Sequence, residues 1–455
     1  MTITTVNPAN EETLETYQEM SAGQIEAMVH NADAAFQTWR RVGLGDKAAS
    51  LRKLAVLLRT GAQEYAALMA EEMGKPVAQG VAEVEKCAMT CDYYAENTAD
   101  FLADEIIESD ASKSFITYQP IGVVLAIMPW NFPFLQVVRF AAPTLTAGNT
   151  VIVKHAPNVT GCSMALESLF RAAGYPEHTF NALVVDVPAV EDVIGDDRIR
   201  AVTLTRSTRA GRAVAAMAGS QVKKTVLELG GSDPSVVLAD ADVDAAAAAC
   251  VTSRLINAGQ SCIAAKRLIV VDNVRDEFEA AVVARMKQAV MGDPTKPDTT
   301  VGPIARADLR DNLHRQVTES SEAGARALMG GELSDTTGFF YPPTVLTDVR
   351  PGMPAYDEEI FGPVAVIIPV ADEGEALRVA NDTEYGLAAA VYTRDVERGQ
   401  RIAAESLDAG GCFVNGFPRS DPRLPFGGTK QSGYGREMSR LGILEFVNAK
   451  TVWVA

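Results

Sequence analysis

Between Gly122 and Leu229, apolar β-rich runs alternate with helical stretches, and this alternation constrains the fold more than any other feature of the chain. Gly122-Val-Val-Leu-Ala-Ile127 is a continuous apolar run, the pattern of a strand buried on both faces of a parallel sheet. It is followed by helix 134–147, strand 150–154, helix 161–173, strand 181–185, helix 188–194, strand 201–205, helix 208–218 and strand 225–229. Strands and helices alternating at this spacing predict a doubly wound α/β sheet. Ligands of such sheets lie beyond the carboxyl ends of the strands, so Trp130, Lys154, Ser207 and Leu229 are predicted to meet at one crevice.

The flanks are read from the same signals. Ser21-Ala-Gly-Gln24 is a capping-box pattern, followed by apolar residues on one helical face from Ile25 to Trp39. Three more helical segments are predicted, with Gly74-Lys-Pro76 as a stop and a long amphipathic run over 77–102. A second alternating region runs from Pro234 to about Phe413. The closing run, 446–454, is long and apolar. It reads either as an oligomer contact or as an intramolecular partner of strand 115–118.

At 455 residues the chain is too long for one ordinary core and implies two or three domains. A hydrophobic share of 47% with 22% charged residues is globular, and a net charge of -18 argues against nucleic-acid partners. No basic-then-apolar leader and no membrane-length apolar run are present, so a cytoplasmic protein is expected. The 6 cysteines are scattered, with Cys87 and Cys91 read as core neighbours, and with only 4 histidines no metal site is expected.

Six places carry candidate chemistry. Cys262 sits in Asn257-Ala-Gly-Gln-Ser-Cys-Ile263, on an irregular connection between an alanine-rich helix and strand 267–271. It is either a nucleophile or a buried space-filler. Glu228 stands alone in an apolar strand end before Gly230 and Gly231, either salt-bridged or desolvated toward the range of a general base. Asn131, in Trp130-Asn-Phe-Pro133, offers an amide to an oxyanion or merely makes a turn. Arg139 is the only charge between Phe134 and Thr144 and needs a counter-charge, from the protein or from a substrate carboxylate. Lys154 ends a strand at the same rim. Thr205-Arg-Ser-Thr-Arg-Ala-Gly211 links strand to helix, where backbone N–H groups bind pyrophosphate, but it lacks the G-x-G-x-x-G pattern.

Together these stretches resemble the aldehyde dehydrogenase superfamily over essentially the whole chain. Pro129-Trp-Asn-Phe-Pro133, Leu227-Glu-Leu-Gly-Gly231, Gly259-Gln-Ser-Cys262, Glu358-Glu-Ile-Phe-Gly-Pro363 and Pro425-Phe-Gly-Gly-Thr-Lys-Gln-Ser-Gly433 match its motifs in order. Lys154-His-Ala-Pro-Asn158, Gly259-Gln-Ser-Cys-Ile-Ala-Ala-Lys-Arg267 and Ser420-Asp-Pro-Arg-Leu-Pro-Phe-Gly-Gly428 look most like the short bacterial succinate-semialdehyde dehydrogenases.

The resemblance implies a Rossmann-type cofactor domain (1–105 and 122–229), an α/β catalytic domain (230–428) and small β oligomerisation segments (106–121 and 440–455) of a homodimer or homotetramer. It implies Cys262 as nucleophile, Glu228 as base for thioester hydrolysis, and Asn131 with the Cys262 N–H as oxyanion donors. Glu228 also argues against the coenzyme A-acylating branch. The cofactor residues implied are Ile127, Trp130, Lys154, His155, Pro157, Ser207, Leu229, Glu359 and Phe361. Arg139, Ser261 and Ser420 are implied to hold a substrate carboxylate. Pro157, where NAD-preferring relatives often carry an acid, leaves the cofactor only partly readable. The Lys-His-Ala-Pro form favours NAD, with NADP tolerated.

One position departs from the family's pattern: Arg206 replaces the usual glycine of T-G-S-x-x-x-G. It pairs with a cofactor phosphate, swings to solvent, or fills the nicotinamide volume. The alternatives to succinate semialdehyde oxidation are therefore another small-aldehyde dehydrogenase, or a cofactor-impaired homologue without activity. A cysteine hydrolase with His155 as base is a remote third.

Overall fold

A computed structural model describes residues 1–455. The alternation over 122–229 forms a 6-stranded sheet whose spatial order is Gly433–Tyr434, Lys224–Glu228, Ile199–Thr205, Val123–Ile127, Thr150–Lys154, Phe180–Ala182. The five strands from Lys224–Glu228 onward are parallel to one another, and only Gly433–Tyr434 runs antiparallel, against Glu228 and Leu227. Chain order reverses beside Val123–Ile127: the next strand lies on one side and Ile199–Thr205 on the other. This is the switch point at which a parallel sheet opens a crevice.

The unbroken apolar run over 123–127 follows from burial on both faces. Val124 and Ala126 join one core with the helices Val77–Phe101 and Leu135–Thr146. Val123, Leu125 and Ile127 join another core with the helices Ala22–Trp39 and Thr208–Ser220. Alternate side chains of a strand point to opposite faces, so both faces need apolar residues. Each such side chain contributes on the order of 1.5–3 kcal/mol when fully buried. Cys87 and Cys91 lie in the first core, as expected of them.

The second region is a 7-stranded sheet in the order Arg326–Met329, Thr344–Thr347, Val364–Val370, Arg267–Val271, Pro234–Val237, Ala388–Tyr392, Gly411–Val414. Its strands are parallel apart from the outermost Arg326–Met329. The chain passes from the carboxyl end of Lys224–Glu228 directly to the amino end of Pro234–Val237. The carboxyl rim of the first sheet therefore meets the amino rim of the second, and this seam holds the site.

The Ser21 capping box forms with both reciprocal hydrogen bonds, and Gly74 ends its helix in the left-handed conformation (φ 77°). The closing run pairs antiparallel with Lys113–Pro120 from Val447↔Pro120 to Val454↔Lys113, which establishes the intramolecular partner. Its other edge pairs with no strand of the chain. The N-terminus differs from the all-helical layer expected before the sheet. Thr2–Val6 and Thr13–Gln18 form an antiparallel hairpin. Its β-branched alternation, which buries Ile3 and Thr5, was the available signal. No helix is long and apolar enough to cross a membrane.

Candidate active site

The alanine-rich helix spans Val243–Leu255, capped by Asp242 through its carboxylate to the Ala245 N–H (3.0 Å). Beyond it Asn257 (φ 56°), Ala258 (φ 52°) and Gly259 (φ 78°) are all left-handed. For residues with a Cβ this conformation costs roughly 1–2 kcal/mol each. Gly259 is required there, since a Cβ would run into the Gly362 carbonyl. Surrounding groups hold the strained turn. The Arg254 guanidinium donates to the Gly259 carbonyl, Gln79 Oε1 accepts from Asn257 N–H (2.6 Å), and Gln260 Oε1 accepts from Ala305 N–H (2.9 Å). Strain maintained in this way by several distant elements is typical of functional sites.

The turn delivers Cys262, half-buried, to a pocket of about 580 Å³. Arg139, Ser261 and Ser420 line the same pocket, so the cysteine and the three residues implied for a substrate carboxylate converge, while Asn131 and Glu228 lie outside its lining. Burial pushes the Cys262 thiol up to about 11, while Lys266 and Arg139 pull it down. The Lys266 ammonium donates to the carbonyls of Ser261 (3.0 Å) and Cys262 (2.5 Å) and pairs with Glu359 (3.1 Å). The Cys262 backbone N–H donates to no acceptor in the chain, which leaves it free for an oxyanion.

Glu228 closes its strand 2% exposed, and neither carboxylate oxygen is hydrogen-bonded. Of its two sequence readings, the desolvated one holds. Burial raises its pKa well above the carboxylate range, and the Glu437 carboxylate adds repulsion that Arg139 and Arg436 only partly offset. The two glycines beyond it do permit close approach. Gly231 N–H donates to Glu359 (3.2 Å), and a Cβ on Gly230 would lie 2.6 Å from the same carboxylate.

Arg139 finds its counter-charge in the protein: Glu437, an ion pair buried on both sides. Its guanidinium also lies over the Phe426 ring at 4.4 Å, and Phe426 and Glu437 are held together by a reciprocal backbone pair (2.8 and 2.7 Å). Arg139 still lines the pocket, and its Nη2 has no hydrogen-bond partner. Lys86 and Arg419 line the pocket as well, so three cations face the cysteine's cavity.

At the rim of the first sheet, Ile127 pairs with Lys154 on one side and Leu204 on the other. Lys154 is 2% exposed, its Nζ has no hydrogen-bond partner, and burial lowers its pKa to about 8 with Arg206 adding repulsion. An orphaned buried ammonium in a carboxyl-end crevice fits a ligand rich in hydroxyls or phosphates, which a dinucleotide is. Trp130 and Phe361 meet edge-on (5.8 Å, 88°). Ser207 caps the helix Thr208–Ser220, Pro157 opens a short turn over Pro157–Val159, and Leu229 packs against Gly211.

His155 requires a correction. Its Nε2 meets the Pro133 carbonyl (2.9 Å) and its Nδ1 accepts from Ala156 N–H (2.9 Å), so no ring atom remains for a cofactor. Burial depresses its pKa to about 4. It is a neutral brace for the Trp130–Pro133 turn, which also disposes of it as a hydrolase base.

Arg206 N–H donates to the Glu228 carbonyl (3.1 Å), which places its Cα beside the base. The side chain is half-buried and pairs with no acid of the chain, and burial draws its pKa below the arginine range. An unpartnered, desolvated guanidinium near Lys154 is suited to a phosphate. Arg206→Gly is therefore expected to weaken dinucleotide binding about tenfold, the loss of one charge-assisted contact. Fluorescence titration of the free protein measures this. Tighter binding by the glycine variant would mean that the side chain obstructs the cofactor.

The motifs left Glu437, Lys266, Lys86, Lys75 and Glu83 unmarked. Lys266 alone had a local signal, a charge just before an apolar strand; the others are defined by partners distant in sequence.

The aldehyde dehydrogenase family model matches residues 1–452. A Synechocystis protein described as a probable succinate-semialdehyde dehydrogenase [NADP(+)] is 48% identical over 455 residues, covering 100% of both chains. The Escherichia coli succinate semialdehyde dehydrogenase [NAD(P)+] is 46% identical, covering 98% of this chain and 97% of its own. The structure of succinic semialdehyde dehydrogenase from Streptococcus pyogenes in complex with NADP+ superposes with a TM-score of 0.97 at 37% identity, covering 99% of each chain. A family model over nearly the whole chain and relatives nearly half identical along their full length together show that the chain belongs to the aldehyde dehydrogenase family.

Proposed function

We propose that the protein oxidises succinate semialdehyde to the acid with NAD(P) as hydride acceptor. The observation that carries this reading is the convergence of Arg139, Ser261, Ser420 and Cys262 on one pocket. A substrate with an aldehyde at one end and a carboxylate at the other matches a nucleophile at one wall and cations at another. Arg139 Nη2 and the Ser261 and Ser420 hydroxyls bind the carboxylate, with Lys86 and Arg419 adding attraction. The names of the full-length relatives support the same substrate.

The Cys262 thiol gives its proton to water, the thiolate Sγ attacks the aldehyde carbon, and the oxygen that becomes negative is held by the Asn131 amide and the Cys262 N–H. A nicotinamide bound at this rim would supply the hydride acceptor for the oxidation. Glu228 takes a proton from water as it attacks the thioester and returns it to the leaving Cys262 sulfur, releasing the acid and the thiol. Lys154 would hold the cofactor's ribose or phosphate, Trp130 and Phe361 would contact its ring, and Glu359 would bind its nicotinamide ribose. The sequence favoured NAD. The orphaned Lys154 ammonium and the unpaired Arg206 support NADP at least equally.

The test is a comparison of succinate semialdehyde with an uncharged aldehyde of equal length. Arg139→Ala is expected to raise KM for the charged substrate about 10- to 100-fold, as for loss of a buried charge-assisted contact. It should change the uncharged substrate far less. Equal losses on both would leave Arg139 a structural partner of Glu437 and remove the carboxylate reading.

A further inference from the structure

Oxyanion stabilisation depends on where the donor is held, since an amide misplaced by an ångström loses most of its effect. Asn131 lies in a turn with no regular secondary structure. Its position is set by groups from two other parts of the chain, Lys75 and the 257–260 turn. Its backbone carbonyl accepts from Lys75 Nζ (2.8 Å) and from Asn257 Nδ2 (2.7 Å). Its side-chain amide donates to the Gln260 carbonyl (3.0 Å), two residues before the nucleophile, leaving its second N–H for an oxyanion.

Lys75 is 1% exposed and forms an ion pair with Glu83, which is equally buried. The other Glu83 oxygen accepts from the N–H groups of Phe134 (2.9 Å) and Leu135 (3.0 Å), at the start of the helix Leu135–Thr146. The Lys75 ammonium also sits 4.0 Å from the centre of the Phe132 ring. Every element of this pair thus grips the turn: the carbonyl of Asn131, the ring of Phe132 and the amides of Phe134 and Leu135. A buried ion pair rarely adds stability over apolar packing, so its presence calls for a role in geometry. Asn257 performs the matching task from the nucleophile side, and its left-handed backbone is what aims its amide at Asn131.

We infer that Lys75, braced by Glu83, and Asn257 are positioning residues that set the Asn131 amide against Cys262 for the attack step. This rests on the reading of Asn131 as an oxyanion donor. Neither Lys75 nor Asn257 touches substrate; both act through the carbonyl of Asn131.

The experiment is a double-mutant cycle on the holoenzyme. Stopped-flow kinetics measure the first turnover of reduced cofactor, with succinate semialdehyde saturating. Asn131→Ala is expected to slow this acylation phase by ~10²–10³, the usual loss of one oxyanion donor. If it does not, the oxyanion reading fails independently of the positioning proposal. Lys75→Met is expected to slow acylation by ~10- to 100-fold, leaving KM near wild type, and to add nothing in the Asn131→Ala background. Losses that multiply in the double variant, or a raised KM with acylation unchanged, would overturn it. Should Lys75→Met not fold, Asn257→Gly keeps the left-handed backbone, removes only the amide, and enters the same cycle with the same deciding outcomes.

Discussion

Cys262→Ala is expected to reduce kcat for aldehyde oxidation by a factor on the order of 10⁴–10⁶, as removal of a covalent nucleophile does in other enzymes. The side chain is half-buried at the wall of a preformed pocket, so truncation leaves little cavity, and both folding and cofactor binding should stay intact. A thermal melt and a cofactor titration verify that the loss is chemical. The thiol's pKa of about 11 also has a consequence for the free enzyme. Most of the sulfur is protonated at neutral pH, so alkylation by iodoacetamide should accelerate steadily from pH 7 toward 10. Lys266 pulls in the opposite sense, and its ammonium must stay beside the Cys262 carbonyl for the thiol to remain even this acidic. Turnover by the alanine variant within tenfold of wild type would remove Cys262 from the mechanism.

Glu228→Gln separates the two halves of the reaction. The first turnover should survive, giving a burst of reduced cofactor close to one per site. Steady-state turnover should fall by ~10²–10⁴, the usual contribution of a general base. Mass spectrometry of the stalled enzyme should find the acyl group on the Cys262 peptide. The pH dependence follows from the sign of the shift. Burial and the Glu437 charge raise the Glu228 pKa, so the carboxyl is neutral and inactive as a base until pH exceeds this raised value. Hydrolysis should then rise with pH through a midpoint above the ordinary carboxylate range. Glu437→Gln removes the repelling charge and frees the Arg139 guanidinium, and both effects move that midpoint to lower pH. A burst and a steady state reduced equally by Glu228→Gln would mean that the carboxylate acts before the thioester, or only on structure.

The sheet over 122–229 was legible because a strand buried on both faces must be apolar at every position, and Val123–Ile127 is. Cys262 and Glu228 were legible because each interrupts such a pattern locally, one on a glycine-broken connection and one at an apolar strand end. Arg139 was legible only as a question. A lone guanidinium in an apolar stretch demands a counter-charge, but its partner, Glu437, comes from the far end of the chain. The N-terminal hairpin shows the opposite case. Its alternation was present in Thr2–Val6, but a strand pairing depends on a second segment as much as on its own pattern.

From residue order alone the chain determined its alternating architecture, its motif order and Cys262 and Glu228 as candidates, because these depend on periodicity and on neighbours within a few residues; the nucleophile and base roles came with the family resemblance. Tertiary structure alone decided that His155 is a brace, that Glu228 is desolvated, that Arg139 is paired with Glu437, and that Lys75 and Asn257 grip Asn131. The physical reason is common to all four. Hydrogen-bond satisfaction and local dielectric are set by whatever atoms fill the surrounding few ångströms, and in this seam those atoms come from both sheets and the N-terminal helices.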